Sequence, residues 1–220
     1  MRLYHFIEPQ YLLSSILKNQ IKLSTIATLN DPYEMMPSFP EADGTYPPIC
    51  RVRERMLDIL KNTGIFSMTA NLKSPALWAH YAAKHRGVAL EFDIPEERLG
   101  GVEPIQYTNQ RVVIGPSDDM TNPDVFERKF KEMIRTKATC WKYEDEYRWV
   151  FRLQRKDVYM DEAGLFYRHM PEELTRIILG IDCILLEDGI RKALEWVGFG
   201  DISITRARMS DAGFEIIVDG

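Results

Sequence analysis

No apolar run in the chain approaches the roughly 18 residues that a membrane span requires. Met1 to Gln10 meets Glu8 and Pro9 too early for the apolar stretch of a secretory leader. Cysteine is scarce: Cys50, Cys140 and Cys183 lie far apart and form no CxxC pair, so neither a disulfide framework nor a zinc cluster can be read from them. These absences imply a soluble, cytoplasmic protein in a reducing compartment. An excess of positive charge is missing too, since 28 Lys+Arg face 33 Asp+Glu. Overall charge therefore gives no general affinity for nucleic acid or for an anionic membrane. No repeat at a period of about 20 to 50 residues is present, which excludes solenoids and propellers. A phosphate-cradling Gly-rich loop, a GxSxG elbow and an HExxH helix are also absent, so function has to be sought in scattered residues.

What is present suffices for one substantial core: 220 residues, 45% of them hydrophobic and 28% charged. Leu3 to Ile7 reads as a strand, and Pro9 opens an amphipathic helix with Leu12, Leu13, Ile16 and Leu17. Ile21 to Ser24 is a short strand, and the proline-rich stretch Thr28 to Pro48 is a loop. A helix from Ile49 to Leu60, a strand from Ile65 to Thr69, and a helix capped by Ser74 and running to Gly87 follow. Val88 to Phe92 is a strand, Val102 to Tyr107 and Arg111 to Ile114 are weaker ones, and Asn122-Pro123 starts the longest helix. Glu144 to Leu153 switches to period two, with Tyr147, Trp149, Phe151 and Leu153 on one face and Glu144, Glu146, Arg148 and Arg152 on the other. Strands from Thr175 to Leu179, Ile202 to Arg206 and Phe214 to Val218, and a helix from Glu187 to Val197, complete the chain. Helices and strands mix without strict βαβ alternation. The expected fold is α+β, a single domain over residues 1–220 with a mixed or mostly antiparallel sheet and flanking helices.

Within this pattern, Glu144, Glu146 and Arg148 project from one strand face, where carboxylates held near an arginine can orient a ribose hydroxyl or stabilise a developing cation. The same residues also fit an ion ladder on a solvated sheet face. His5 shares a face with Leu3 and Ile7, as a core histidine would. Trp78, Tyr81 and His85 share a helical stripe that fits either core packing or stacking on a planar ligand. Asn30, Asp31 and Glu34 belong to a turn that can line a pocket. His80 and His85, about 140° apart on a regular helix, cannot chelate one ion. No metal site is expected there.

Five motifs occur in order: Leu3-Tyr4-His5-Phe6; Leu29-Asn30-Asp31-Pro32-Tyr33-Glu34; Phe66-Ser67-Met68; Leu77-Trp78-Ala79-His80-Tyr81 running to His85-Arg86-Gly87-Val88; and Trp141-Lys142-Tyr143-Glu144-Asp145-Glu146-Tyr147-Arg148. From Leu3 to about Ile181 the chain resembles the bacterial family DUF2971, with members in abortive-infection and phage-defence settings. More distantly it resembles ADP-ribosyltransferases, whose NAD pocket combines an early His or Arg, a strand-to-helix segment with Ser and an aromatic, and a late Glu. That resemblance implies a cofactor-binding set of His5, Ser67, Tyr81 and Arg148, with Glu146 catalytic and Glu144 its partner. Glu-x-Glu is more usual with an early Arg than with an early His. The resemblance thus implies an NAD-consuming effector of a bacterial defence or toxin-like system, acting by ADP-ribosyl transfer or NAD glycohydrolysis, with NAD as substrate and no metal. The alternative is a non-enzymatic nucleotide-sensing or protein-interaction module. A metal-dependent nuclease using Asp31, Glu91, Asp93 or Glu144 ranks third, because no basic stripe accompanies them.

Overall fold

The computed structural model of the chain describes residues 1–39, 56, 58–115, 117–162, 165–170 and 172–219. The fold is α+β. Its main sheet has seven strands in the order β12-β11-β4-β1-β3-β8-β5, where β1 is Arg2–Ile7, β3 Thr63–Thr69, β4 Val88–Asp93, β5 Val102–Pro104, β8 Glu146–Arg152, β11 Leu174–Leu179 and β12 Ser203–Arg206. All neighbours are antiparallel except β11 and β12. A three-stranded sheet joins β2 (Gln20–Leu23), β10 (Phe166–His169) and β9 (Val158–Met160). Two small ladders pair β6 (Gln106–Thr108) with β7 (Thr136–Ala138) and β13 (Arg208–Met209) with β14 (Ile216–Ile217). No helix among the described residues is long and apolar enough to cross a membrane.

Three helices begin where proline fixes their first turn: α1 (Pro9–Leu17), α2 (Pro75–Tyr81) and α4 (Pro123–Arg135). Asn122 caps α4, accepting from the Asp124 and Val125 amides at 2.9 and 3.4 Å. A single turn, α3 (Glu96–Leu99), precedes β5, and α5 (Glu187–Trp196) packs on α1. One face of the sheet buries Leu3, Phe66, Leu90, Phe92, Ile177 and Leu179 against Leu12 and Ile16 of α1 and Ile190 and Leu194 of α5. The other face packs Ala89 and Ile178 against Trp78, whose ring meets Phe6 edge-on at 5.0 Å.

Two expectations change, and a third is not tested. The Ser74 helix ends at Tyr81 rather than at Gly87, because Ala83, Lys84 and His85 all take left-handed conformations. Gly87 and Gly180 lie where backbones cross: a Cβ on Gly180 would strike the His85 carbonyl oxygen, and one on Gly87 that of Ile7. Arg111 to Ile114 forms no strand, only an isolated bridge between Val113 and Ser38. The helix expected from Ile49 to Leu60 lies largely outside the described residues.

One irregularity of the main sheet positions the site. β1 pairs with β4 along its whole length, and β3 with β8 along its whole length. Between them, however, β1 and β3 share only the pair Tyr4 and Thr69. Past that point β3 leaves β1 and pairs with Ser24, which exchanges backbone hydrogen bonds of 2.8 Å with Ile65. The sheet is split along the His5 and Ser67 edges.

The aromatic face of β8 is structural only in part. Phe151 is buried, while Tyr147 and Trp149 are half-buried against the same core. Trp141 belongs to no core cluster among the described residues. Phe151→Ala should therefore cost about 3–5 kcal/mol, and Trp141→Ala no more than about 1 kcal/mol, measured by urea denaturation. Equal losses would show that Trp141 supports the fold.

Candidate functional site

A cavity of about 330 Å³ occupies the split. Tyr4, His5, Phe6, Ser67, Thr69, Tyr81, Lys137, Glu144 and Glu146 are among its lining residues. Five of the six site residues expected from sequence, His5, Ser67, Tyr81, Glu144 and Glu146, thus come together from separate elements. Arg148 does not line the cavity; it lies fully buried behind Glu146. Its place is to hold that carboxylate, not to meet a ligand.

The solvated ion ladder is also corrected. Glu146 and Arg148 do share a face of β8, but that face is buried. The Arg148 guanidinium grips Glu146 with two bonds, Nε to Oε1 at 2.7 Å and Nη2 to Oε2 at 2.9 Å. It also donates to the Ile134 carbonyl at 3.1 Å and to Glu34. Lys137 completes the cluster, its Nζ 3.0 Å from Glu146, 2.5 Å from Glu144 and 3.6 Å from Glu34. Three carboxylates thus share two cations, all nearly inaccessible to solvent.

Glu144 reaches this cluster by a different route from the one the alternation suggests. It ends a 3-10 helix, Thr139–Glu144, and Asp145 follows in a left-handed conformation, with φ of 44°. That kink delivers the Glu144 side chain to Lys137 from outside the strand. Its Oε1 accepts a 2.5 Å hydrogen bond from the Tyr81 hydroxyl, which in turn accepts one from Asn30 at 2.7 Å. Thr69 donates to the Glu144 carbonyl and so ties this turn to β3.

Burial governs the electrostatics. It raises the Glu146 pKa, against Lys137 and a hydrogen bond with Ser67, which pull it down. Burial opposes the charge on Lys137, but Glu146 and Glu144 outweigh it and hold the ammonium firmly protonated. The Tyr81 hydroxyl is pushed well above its ordinary range by burial and by Glu144. Tyr107, whose hydroxyl accepts from the Glu146 amide at 2.8 Å, is pushed up to about 12, chiefly by burial.

His5 is kept neutral by burial, which lowers its pKa. Its Nδ1 lies 2.8 Å from the Ser67 carbonyl. A carbonyl only accepts, so in the neutral ring Nδ1 carries the proton and Nε2 is left with a free lone pair. The cavity therefore presents a hydrogen-bond acceptor at His5, an aromatic ring at Tyr81 and two carboxylates.

Asn30 and Glu34, expected from their turn to line a pocket, line this one, whereas Lys137 escaped sequence reasoning. Lys137 sits on a three-residue strand directly after α4, with no periodicity to single it out. The acidic groups weighed for a metal nuclease do not assemble. Glu91 pairs with Arg176, and Asp93 lies beside the N-terminal amine. Among the described residues no group of three His, Cys, Asp or Glu side chains could hold a metal ion.

Two outcomes follow. Arg148→Met leaves Glu146 and Glu34 buried with only Lys137 to share, and should destabilise the protein by about 3–5 kcal/mol in urea unfolding; a loss under about 1 kcal/mol would mean the cluster is not formed. The His5 pKa is lower in the folded than in the unfolded chain, so its contribution is complete above the ordinary value near 6.5 and is lost as pH falls below it. His5→Gln should flatten the dependence of melting temperature on pH between about 7.5 and 5.5, where a single proton can impose a slope of at most about 1.4 kcal/mol per unit. An unchanged profile would show that His5 takes up its proton equally in both states.

No family model, no curated protein and no solved structure matches the chain, so the site is to be read from its own chemistry.

Proposed function

We propose that the cavity binds the nicotinamide riboside portion of NAD and that the protein consumes NAD, by hydrolysis or by ADP-ribosyl transfer. The observation that carries the reading is the convergence of His5, Ser67, Tyr81, Glu144 and Glu146 on one cavity within a split sheet. When the glycosidic bond breaks, nicotinamide leaves with the bonding electron pair and the ribose becomes an oxocarbenium ion. In NAD the positive charge sits on the nicotinamide ring and passes to the ribose as the bond breaks, and three carboxylates set against two cations suit a charge that arrives at the ribose. His5 Nε2 is suited to accept from a ribose hydroxyl, and the Tyr81 ring to pack on the nicotinamide. Water or a nucleophile on a target then adds to the anomeric carbon and gives up its proton. With the resemblance to abortive-infection proteins, this chemistry supports an effector that depletes NAD or modifies a cellular target.

A second reading has its own observation. Both oxygens of Glu146 are engaged by Arg148 and Lys137, and both oxygens of Glu144 by Tyr81 and Lys137. Such saturation suits a module that binds a nucleotide without turning it over.

Nicotinamide release by the purified protein separates the two. Glu144 is the cleaner probe, since replacing Glu146 also disturbs the buried Arg148. Glu144→Gln should keep the fold, retain most of the affinity for NAD and lose roughly 100-fold or more of the rate. Binding without any nicotinamide release, with cell extract supplied as a source of targets, would establish the module instead. Absence of both binding and release would remove NAD from consideration.

A further inference from the structure

Beside the cavity, four aromatic side chains form a continuous strip that no hydrophobic core cluster among the described residues includes: Tyr81, which also lines the cavity, His80, Tyr143 and Trp141. Ring centroids are 6.1 Å apart from Tyr81 to His80, 5.9 Å from His80 to Tyr143 and 6.2 Å from Tyr143 to Trp141. The first two contacts are edge-on and the third is tilted, so no two rings of the strip stack face to face. His80 is exposed and the other three are half-buried. The strip is also held in place. His80 Nδ1 and the Tyr143 hydroxyl are 3.0 Å apart, Asn71 donates to the Tyr143 carbonyl at 3.0 Å, and Trp141 lies with its ring centre 5.1 Å from the Lys137 ammonium. A row of partly exposed aromatic rings fixed by polar contacts, none stacked on another and none in a core cluster, suits a flat ring from outside.

Both ends of the strip meet the cavity wall, through Tyr81 at one end and through Trp141 on Lys137 at the other. The cavity, at about 330 Å³, lies at the small end of the range for ligand sites and accommodates one half of a dinucleotide. The other half has to lie outside the cavity, and the strip continues outward from its wall at Tyr81. We propose that the strip, chiefly Trp141 and His80, stacks the adenine ring of the same NAD molecule whose nicotinamide riboside fills the cavity. This rests on the NAD reading given above and adds to it a second, separable subsite. Aromatic faces accept a purine without base-specific hydrogen bonds, so adenine is bound by stacking alone.

Nicotinamide mononucleotide, which fills the cavity but has no adenine, separates the subsites. Wild-type protein should bind NAD more tightly than nicotinamide mononucleotide in calorimetry. Trp141→Ala should weaken NAD about tenfold or more, a change of about 1.4 kcal/mol or larger, and leave the mononucleotide's affinity as it was. Trp141→Phe should restore most of the loss, because a ring face is what the subsite needs. His80→Ala should act in the same direction as Trp141→Ala. Equal weakening of both ligands would overturn the adenine subsite and mark Trp141 as a support for Lys137, as would NAD binding that ignores Trp141→Ala. Wild-type protein that binds neither ligand overturns the NAD reading, and the strip's assignment with it. Circular dichroism and melting of each variant keep these outcomes apart from misfolding.

Discussion

The Arg148 guanidinium is the constraint on which the site depends. It is fully buried, takes hold of Glu146 with two hydrogen bonds and reaches Glu34 and the Ile134 carbonyl with its remaining donors. Arginine alone offers this many donors in a rigid plane while remaining charged when desolvated. Through it, β8, the turn that carries Glu34 and the end of α4 are fixed to one another. Lys137 extends the same cluster to Glu144 and so to the turn before β8. Three stretches of chain, around residues 34, 134–137 and 144–148, share one set of charges.

The second organising feature is geometric. A sheet whose strands paired along their whole length would leave no room for a ligand between β1 and β3. The single register pair of Tyr4 with Thr69 joins the two halves, and β3 then turns to Ser24. Strand edges exposed by such a split carry backbone groups that need partners. At His5 that need is met by a side chain, since its ring reaches the Ser67 carbonyl across the gap. The residue that bridges the gap is thereby also the one that offers its remaining nitrogen to the cavity.

Much of this fold is legible from periodicity and punctuation. Pro9, Pro75 and Pro123 mark the starts of helices, and the alternation from Glu146 to Arg152 marks a strand. Legibility fails where a backbone leaves the common conformations without a glycine to announce it. The left-handed run from Ala83 to His85 cuts α2 short, and Asp145 takes Glu144 out of the strand. It fails again where polar sequence is buried. Period two places Glu146 and Arg148 on one face but says nothing of whether α4 and the Glu34 turn cover it, and alternating charges on a strand look the same wet or dry. Lys137 could have been found only by knowing which strand it faces.

Buried ion clusters of this kind are a poor device for stability, because apolar side chains of similar volume would fill the space at less desolvation cost. What apolar side chains cannot do is keep a carboxylate at the wall of a cavity. Burial alone pushes the Glu146 pKa upward, and without its cations the group would neutralise itself by taking up a proton. Lys137, driven further into its charged form by the same carboxylates, opposes this, and the cluster sets three carboxylates against two cations. The shortfall is the useful part. A balanced cluster would be indifferent to its contents, whereas one with an excess carboxylate favours any species that acquires positive charge beside it, in proportion to how much charge has developed. On the proposed reading, that is the requirement for selective stabilisation of a transition state over a ground state, and the reading would give a functional reason for a charge arrangement that stability alone would not maintain.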